Sequence, residues 1–301
     1  MDAVVFPGQG SQKPGMGAPW VGTRSWDAVS LVSEVVGREV GALLVDADAA
    51  TLQATRNAQV AAFALGLVIL DACRAAGLTW SATAGHSLGE YTALVAAGAV
   101  GAEDAAHLVG QRAEAMQAAT EAVPGTMAAV LGLDAEAVQA SCDAASGQAW
   151  IANDNAPGQI VVAGTHDGVA AAAAAAKDRG AKVMPLAGGG AFHTPLMASA
   201  QARVDAALDA APFAARSLPV VANVDAQAHA VGPDWRALLS AQLCRPVRWR
   251  EGVVALQAMG VTRVVELGPG GVLSAMVKRI APEVERLSIA TPEEAAASLQ
   301  P

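Results

Sequence analysis

The alternation of short β-branched runs with long alanine-rich segments constrains the fold of this chain more than any other feature of its sequence. Strand-like runs lie at residues 3–6 and 81–85, and helical patterns lie at residues 59–76, 89–97 and 103–121. Strands that alternate with helices in this order form a mostly parallel sheet whose faces the helices cover. The sequence is therefore predicted to fold as an α/β protein.

The rhythm changes between residues 125 and 190, where the predicted order becomes strand, helix, strand, strand, helix, strand. This is the split β-α-β order of a ferredoxin-like unit. Helices and strands alternate again from residue 191, and the tail from residue 291 is expected to be frayed. We therefore predict a large α/β domain of residues 1–124 and 191–301, interrupted by an inserted ferredoxin-like small subdomain of residues 125–190.

Composition and charge argue against several classes of protein. The 301 residues are 53% hydrophobic and 16% charged, which is typical of a globular chain rather than a disordered one. The formal net charge of −9 argues against general nucleic-acid binding, which needs a basic surface. The longest apolar run, residues 60–70, is shorter than the roughly 20 residues that cross a bilayer, and no secretory pattern opens the chain. We expect a cytoplasmic monomer that does not bind membranes.

Cysteines and arginines give weaker indications. The three cysteines are scattered without the spacing of a zinc site or a disulfide framework, so we expect reduced thiols, no metal and no cofactor. Arg245, Arg248 and Arg250 cluster together against the acidic trend. They form either a patch for a phosphate or an acidic protein, or an ordinary solvated face.

A nucleophile motif lies at Gly85-His86-Ser87-Leu88-Gly89, which matches G-x-S-x-G between an apolar strand and a helix. The flanking glycines permit a sharp turn that presents the serine hydroxyl at the edge of the sheet. The free N–H groups at the start of the following helix offer positive charge to an oxyanion. Ser87 is therefore predicted to be a catalytic nucleophile.

The base that activates Ser87 must be one of five histidines. His86 is adjacent to the serine on a tight turn, where its ring is expected to point away from the hydroxyl, so we interpret it as structural. Two other histidines lie in or at predicted helices. His193 follows a glycine-rich loop that can reach a cleft, and His229 lies in a polar loop. His193 is favoured, but both remain candidates because a single histidine is more often structural than catalytic.

Arg112 lies on the apolar face of its predicted helix, in line with Leu108, Val109, Ala113 and Met116. A buried guanidinium needs an anionic partner, and this face carries no acid. Two interpretations remain open. Arg112 binds the carboxylate of a ligand with its guanidinium fork, or it reaches solvent or an acid elsewhere in the fold.

Six motifs follow one another along the chain. They are Pro7-Gly8-Gln9-Gly10-Ser11-Gln12, Gly85-His86-Ser87-Leu88-Gly89-Glu90, Gln111-Arg112, Asn153-Asp154-Asn155-Ala156-Pro157-Gly158-Gln159, Ala191-Phe192-His193 and Glu266-Leu267-Gly268-Pro269-Gly270. In this order they resemble the malonyl-coenzyme A:acyl carrier protein acyltransferase family of fatty acid and polyketide synthesis. The resemblance spans nearly the whole chain. It implies a hydrolase-like large domain with a mostly parallel sheet.

The resemblance also implies a role for each matching residue. Ser87 is acylated, His193 is its base, and the backbone N–H groups of Gln9 and Leu88 form the oxyanion hole. Arg112 grips the malonyl carboxylate. The implied reaction is a ping-pong transfer of malonyl from coenzyme A to the phosphopantetheine thiol of an acyl carrier protein.

Five further positions match residues around the reacting centre. The backbone carbonyl of Gln242 is expected to orient the histidine, and Gln59, Asn153, Asn155 and Phe192 are expected to bind substrate. The ring of Phe192 leaves little room for an α-methyl group. This is typical of malonyl-selective members and is worth roughly 1–3 kcal/mol of discrimination against methylmalonyl.

One departure and two alternative functions qualify the resemblance. The usual Thr-Gln-Pro of the family is Ala58-Gln59-Val60 here, so that helix is expected to begin at a shifted position. An editing acyl hydrolase of the same fold is one alternative, although it gains nothing from a buried arginine. A carrier-binding protein without activity is the other, although it leaves Ser87 and its base unexplained. Fatty acid and polyketide synthesis both remain open as pathways.

Overall fold

The computed structural model describes residues 1–145 and 148–298, and this part of the chain contains two β-sheets. The strands are β1 (Asp2–Phe6), β2 (Ala82–Gly85), β3 (Thr126–Leu131), β4 (Ala149–Ala156), β5 (Gln159–Gly164), β6 (Lys182–Pro185), β7 (Arg216–Val221), β8 (Ala228–Val231), β9 (Arg263–Leu267) and β10 (Glu285–Ile289). The helices are α1 (Asp27–Val36), α2 (Val40–Val45), α3 (Ala49–Gln53), α4 (Thr55–Ala76), α5 (Gly89–Ala97), α6 (Ala102–Ala122), α7 (Ala135–Asp143), α8 (His166–Asp178), α9 (Ala198–Ala210), α10 (Trp235–Cys244), α11 (Trp249–Ala258), α12 (Val272–Ile280) and α13 (Pro292–Ala297). Short 3-10 helices lie at Ala18–Trp20, Arg24–Trp26 and Pro195–Met197.

The larger sheet has the strand order β10-β9-β1-β2-β7-β8 and is parallel except for β8, which pairs with β7 in the antiparallel direction. The register pairs Phe6 with Gly85, so β1 and β2 end at the same level in the middle of the sheet. The loops that follow two neighbouring parallel strands therefore meet at one edge, where ligands bind in open α/β sheets.

Both faces of this sheet are buried. Along β1, Val4 and Phe6 belong to one hydrophobic cluster, which also contains residues of α1, α4, α6 and α9. Ala3 and Val5 belong to a second cluster with residues of α11 and α12. Successive side chains of a strand point to opposite faces, so this alternation places helices on both sides.

The smaller sheet is antiparallel, with the order β4-β5-β3-β6, and α7 and α8 pack against it. The order of its elements along the chain is β-α-β-β-α-β, which is ferredoxin-like. The predicted α/β fold class with a small antiparallel subdomain is confirmed. The division at residues 124 and 190 stays a prediction.

Helix α4 begins at Thr55, one turn before its predicted start, so Gln59 lies inside the helix. By length and composition this 22-residue helix is apolar enough to cross a membrane, although the uninterrupted apolar run within it, residues 60–70, is too short to do so. In the structure, 72% of its most apolar window is buried within the protein. We therefore interpret α4 as a core helix, which packs in one hydrophobic cluster with the large sheet and the neighbouring helices.

The prediction of a frayed tail is wrong for most of the segment. Residues Pro292–Ala297 form α13, which begins with a capping box between Thr291 and Glu294. The Thr291 hydroxyl accepts the Glu294 N–H, and the Glu294 carboxylate accepts the Thr291 N–H. Reciprocal capping satisfies the free N–H groups of the first turn, and the short helix packs on α4. Residues 299–301 lie outside the described part.

The turn after β2 is packed against the loop after β1 through three glycines. A Cβ on Gly89 would overlap the carbonyl oxygen of Phe6, one on Gly8 would overlap the carbonyl oxygen of His86, and one on Gly85 would overlap the main chain of Gly89. Close main-chain approach of this kind leaves no room for a side chain. The glycines of the motif thus bring the first loop and the serine turn into contact.

Gly89→Ala should therefore destabilise the protein by about 3 kcal/mol or more, because the added methyl group meets main-chain atoms that cannot yield. Gly41→Ala in α2 is the matched control. Its Cβ would lie 3.7 Å from Trp26, in ordinary contact, and alanine favours the helix by up to about 1 kcal/mol. Urea denaturation of both variants measures the two free energies of unfolding. Equal losses would contradict the packing described for the turn.

Candidate active site

Ser87 lies on the sharp turn between β2 and α5 with a φ of 53°. This left-handed conformation is strained for a residue other than glycine and persists only where its surroundings hold it. Asn223 Oδ1 accepts the Ser87 N–H at 2.7 Å, and Asn223 Nδ2 donates to the Gly85 carbonyl at 2.7 Å. Gln242 Nε2 donates to the Ser87 carbonyl at 3.0 Å. The main chain is thus held on both sides of the hydroxyl.

His193 reaches the same point from the loop after the small sheet. Its Nε2 lies 2.7 Å from Ser87 Oγ, and its Nδ1 lies 2.7 Å from the main-chain oxygen of Gln242. A carbonyl oxygen only accepts hydrogen bonds, so Nδ1 carries the proton and Nε2 accepts from the serine hydroxyl. The arrangement allows the hydroxyl proton to pass from Ser87 to His193.

The surroundings keep the imidazole of His193 uncharged. Burial lowers the pKa of His193 to about 3, and the positive charge of Arg112 acts in the same direction. The hydrogen bond to the Gln242 carbonyl opposes them. At neutral pH the ring is therefore in the form that can accept a proton.

The structure brings neither of the other two histidines considered above to the hydroxyl. His86 turns toward the small sheet, where its Nε2 lies 2.8 Å from Asn155 Oδ1. His229 lies on β8 rather than in a loop, and its Nε2 lies 2.9 Å from Asp225 Oδ2. His229 does not line the cleft that contains Ser87.

Arg112 is 1% exposed and also reaches the nucleophile. Its Nη1 donates to Gln59 Oε1 at 2.6 Å, and its Nη2 donates to Gln242 Oε1 at 3.0 Å and to Ser87 Oγ at 3.1 Å. Within residues 1–145 and 148–298 no carboxylate lies at ion-pair distance from this guanidinium. Of the alternatives open from the sequence, contact with solvent and pairing with an internal acid are both wrong. In the described residues the cation is held by two amide oxygens and the Ser87 hydroxyl, and its guanidinium carbon lies 5.5 Å from the centre of the Tyr91 ring.

The Gln9 and Leu88 N–H groups lie in the two segments that meet at the serine turn. Leu88 is the N-cap residue of α5, so its amide belongs to the unpaired first turn of that helix. Gln9 follows Gly8, whose main chain abuts the serine turn. In the described ranges, neither the Gln9 nor the Leu88 N–H donates to a protein acceptor. Both amides are therefore available to an oxygen atom bound beside Ser87.

A cleft of about 390 Å³ opens over these groups, between the two sheets. On the side of the large sheet, the cleft is lined by the loops after β1 and β2, by Arg112 from α6, and by Phe192 and His193 from the loop after β6. The small sheet contributes Asn153 and Asn155 from β4. Of the expected substrate-binding residues, Gln59 alone lies behind the cleft wall and reaches the site through Arg112.

Two residues near the nucleophile were missed as functional candidates. Asn223 follows β7, which lies next to β2 in the sheet but far from it along the chain. Nothing in the sequence therefore places Asn223 beside Ser87. Glu90 follows the motif directly and is 1% exposed. Burial raises the pKa of Glu90 to about 8, against hydrogen bonds from Gln242 and Asn223 and the charge of Arg112. An acid inside an otherwise apolar helix was the available signal.

The arginine cluster is not a free basic patch. Arg248 is paired with Glu251, and Arg250 is paired with Asp154 at 2.8 Å. Arg245 is exposed. Two of the three charges are thus already compensated within the protein, and the pair between Arg250 and Asp154 joins α11 to β4 of the small sheet.

Comparison with known proteins agrees with this geometry. The sequence profile of the family described as "Acyl transferase domain" matches residues 3–295. The chain belongs to this acyl transferase family.

Relatives and solved structures match this chain over nearly its whole length. The malonyl CoA-acyl carrier protein transacylase of Bacillus subtilis is 39% identical over 307 residues, which cover 99% of this chain and 96% of that one. A malonyl-transacylase solved in complex with a type II polyketide synthase acyl carrier protein has a TM-score of 0.94 at 35% identity, with 99% of both chains covered. The malonyl-CoA:acyl carrier protein transacylase of Xanthomonas oryzae has a TM-score of 0.94 at 41% identity, covering 99% of this chain and 97% of that one. The resemblance carried by the six motifs is confirmed.

Replacing Arg112 should raise the pKa of His193, because a nearby cation disfavours the protonated imidazole. Phenylmethanesulfonyl fluoride labels Ser87 only when its base is uncharged, so the labelling rate, measured by intact mass at each pH, reports the fraction of neutral His193. In the native acyl transferase the labelling rate should stay level from about pH 7 down to about pH 5. In Arg112→Met the acid limb should move to higher pH.

Arg203→Met serves as the control, since Arg203 lies on α9 and contacts Gln111 rather than the nucleophile. Its pH profile should match that of the native protein. An acid limb at the same pH in Arg112→Met would contradict the electrostatic coupling between Arg112 and His193.

Proposed function

We propose that this acyl transferase moves a malonyl group from coenzyme A to the phosphopantetheine thiol of an acyl carrier protein through an acyl-serine intermediate. The observation that carries the proposal is Arg112, a buried cation 3.1 Å from the nucleophile that has no acidic partner among the described residues. A site that activates a serine and holds an uncompensated charge beside it favours an acyl group with its own carboxylate.

The first half-reaction uses the groups around Ser87. His193 Nε2 takes the hydroxyl proton as Ser87 Oγ attacks the thioester carbonyl. The backbone N–H groups of Gln9 and Leu88 stabilise the oxyanion of the tetrahedral intermediate. The intermediate collapses to the acyl-serine, and the thiolate of coenzyme A leaves with the proton from His193.

The second half-reaction reverses these steps with a new thiol. His193 takes the proton of the carrier's phosphopantetheine thiol, and the resulting thiolate attacks the acyl-serine carbonyl. The same N–H groups stabilise the second intermediate, and Ser87 leaves with the proton that His193 returns. Because one base serves both halves, it must be uncharged at the start of each, as the lowered pKa of His193 provides.

The position of Arg112 selects the length of the acyl group. In malonyl, a single methylene separates the reacting carbonyl from the free carboxylate. A guanidinium within hydrogen-bond reach of Ser87 Oγ therefore suits this short spacing, and a longer dicarboxylic acyl group would overshoot it. Gln59 and Gln242 hold the fork from behind, which leaves it rigid for bidentate contact.

The remaining wall of the cleft bears on selectivity and partners. Phe192 lines the cleft next to His193, and its ring leaves little space for an α-methyl group. Asn153 and Asn155 provide polar contacts from the small sheet. The carrier serves fatty acid or polyketide synthesis, and the reaction takes place in the cytoplasm.

Mixing the protein with malonyl-coenzyme A should give a stable malonyl adduct on Ser87, which intact mass and peptide mapping detect. Ser87→Ala should give no adduct, because the nucleophile is absent. Addition of a holo acyl carrier protein should then discharge the adduct and yield malonyl-carrier. Release of free malonate without carrier would indicate an editing hydrolase, and the absence of any adduct would contradict acyl transfer.

Arg112→Ala should lower malonyl transfer by roughly 30-fold to several thousand-fold, equivalent to about 2–5 kcal/mol, because the malonyl carboxylate loses its partner in a poorly solvated cleft. Acetyl transfer, which needs no cation, should change much less. Parallel rates of serine acylation with the two thioesters measure both. Equal rates for malonyl in the native and variant proteins would contradict the carboxylate clamp.

A further inference from the structure

Glu90 lies in the first turn of α5, directly beneath the nucleophile turn, and its carboxylate is fully enclosed. Its Oε2 accepts a hydrogen bond from Gln242 Nε2 at 2.6 Å. Both of its oxygens accept the main-chain N–H of Asn223, at 3.3 and 3.4 Å. Within the described chain it forms no ion pair, so donors of Gln242 and Asn223 compensate its burial.

Gln242 connects this carboxylate to every reacting group of the site. Its Nε2 donates both to Glu90 and to the Ser87 carbonyl, and its Oε1 accepts from Arg112 Nη2. Its main-chain oxygen accepts from His193 Nδ1. A displacement of this one residue would therefore move the turn, the base and the cation together.

Glu90 is one of three neighbours that hold the Gln242 amide in a single orientation. A glutamine side chain has a donor end and an acceptor end, and either can point in a given direction unless its neighbours distinguish them. The Nε2 end of Gln242 faces two acceptors, the Ser87 carbonyl and Glu90 Oε2. Its oxygen end faces the Arg112 guanidinium, which only donates.

An acidic side chain is an unfavourable choice for this position if packing is its sole purpose, because burial opposes its charged form. Buried ionisable groups are often replaced by apolar side chains of similar volume at no cost in stability. The second arm of Glu90 also leads to the nucleophile, since Asn223, whose N–H it accepts, holds the Ser87 N–H through its own side chain. The hydrogen bonds of Glu90 therefore lead through Gln242 to Arg112 and through Asn223 to Ser87.

Resting on the function proposed above, we propose that Glu90 is a positioning residue for malonyl transfer. It acts through the side chain of Gln242 to hold the Arg112 fork where the malonyl carboxylate binds. Loss of the Glu90 acceptor should therefore reduce malonyl transfer more than acetyl transfer. A merely structural role would reduce both equally.

The test compares acylation rates of Ser87 by malonyl-coenzyme A and acetyl-coenzyme A in Glu90→Met, Gln242→Met and the double variant. Methionine matches the length of both side chains but supplies no strong acceptor or donor. Each single substitution should lower the malonyl-to-acetyl ratio by about tenfold or more, because both remove the hydrogen bond between Glu90 and Gln242 next to the Arg112 cation. The double variant should be no worse than Gln242→Met within about threefold, because both changes break one pathway.

Two controls separate positioning from loss of packing. Glu90→Gln keeps an amide oxygen that can accept the Gln242 N–H, so it should restore the ratio to within about threefold of the native value. Glu266→Met removes another fully enclosed carboxylate, which caps α12 through the N–H groups of Leu273 and Ser274. It should lower stability and leave the ratio unchanged. Thermal melts establish that each variant is folded.

Opposite results would overturn the inference in distinguishable ways. An unchanged malonyl-to-acetyl ratio in both single variants overturns the role of Glu90 and leaves the proposed function standing. The same conclusion follows if each single variant slows both thioesters equally and the two losses are additive in the double variant. Failure of the native protein to form malonyl-serine overturns both. If Glu90→Met does not fold, Glu90→Leu, which also lacks an acceptor, takes its place: a tenfold fall in the ratio with recovery in Glu90→Gln supports the proposal, and an unchanged ratio overturns it.

Discussion

A guanidinium removed from water without a carboxylate beside it is the constraint around which the active site is arranged. Burying a cation carries a large desolvation penalty, which hydrogen bonds to neutral groups offset only in part. In this acyl transferase, the amide oxygens of Gln59 and Gln242 and the hydroxyl of Ser87 receive the N–H groups of Arg112. Burial accordingly lowers the pKa of Arg112, against nearby Tyr91 and Glu90. In the proposed function, the malonyl carboxylate supplies the missing charge.

The same cation sets the state of the base. It lies close enough to His193 to disfavour a second positive charge, and the ring is enclosed as well. Substrate selection and proton transfer thus share one electrostatic origin, because the group that attracts a carboxylate also keeps the imidazole free to accept a proton. No carboxylate assists the histidine in the described chain; the main-chain oxygen of Gln242 orients it instead.

Local patterns in the sequence were enough for part of this arrangement. The serine turn was predictable because its glycines, strand and helix are contiguous, and the burial of Arg112 followed from one helical face. The choice of His193 over His229 needed the resemblance to a family, because the sequence pattern assigns both to loops and does not show that His229 lies on β8. Strands β8 and β10 at the sheet edges were missed because they are short and mostly half-buried or exposed.

Contacts between distant segments were beyond the sequence. The side-chain contacts of Asn223 and Gln242 with the serine turn depend on the order of strands and on the docking of α10, and the bonded partners are 136 and 155 positions apart in the chain. The pairing of Arg250 with Asp154 was hidden for the same reason, so the arginine cluster looked more basic than it is. Capping by Thr291 and Glu294 was readable in principle, but the short tail helix depends equally on its packing against α4.

The junction between the two sheets has a consequence for how substrates exchange. Val247, in the loop before α11, bonds through its main chain to Ala152 and Asp154 of β4, so the cleft walls share a segment of backbone ladder. These main-chain hydrogen bonds, together with the pair between Arg250 and Asp154, oppose separation of the two sheets at this junction. Coenzyme A and an acyl carrier protein present the same pantetheine arm, so in the proposed function a single slot between the sheets receives a nucleotide and a protein in turn.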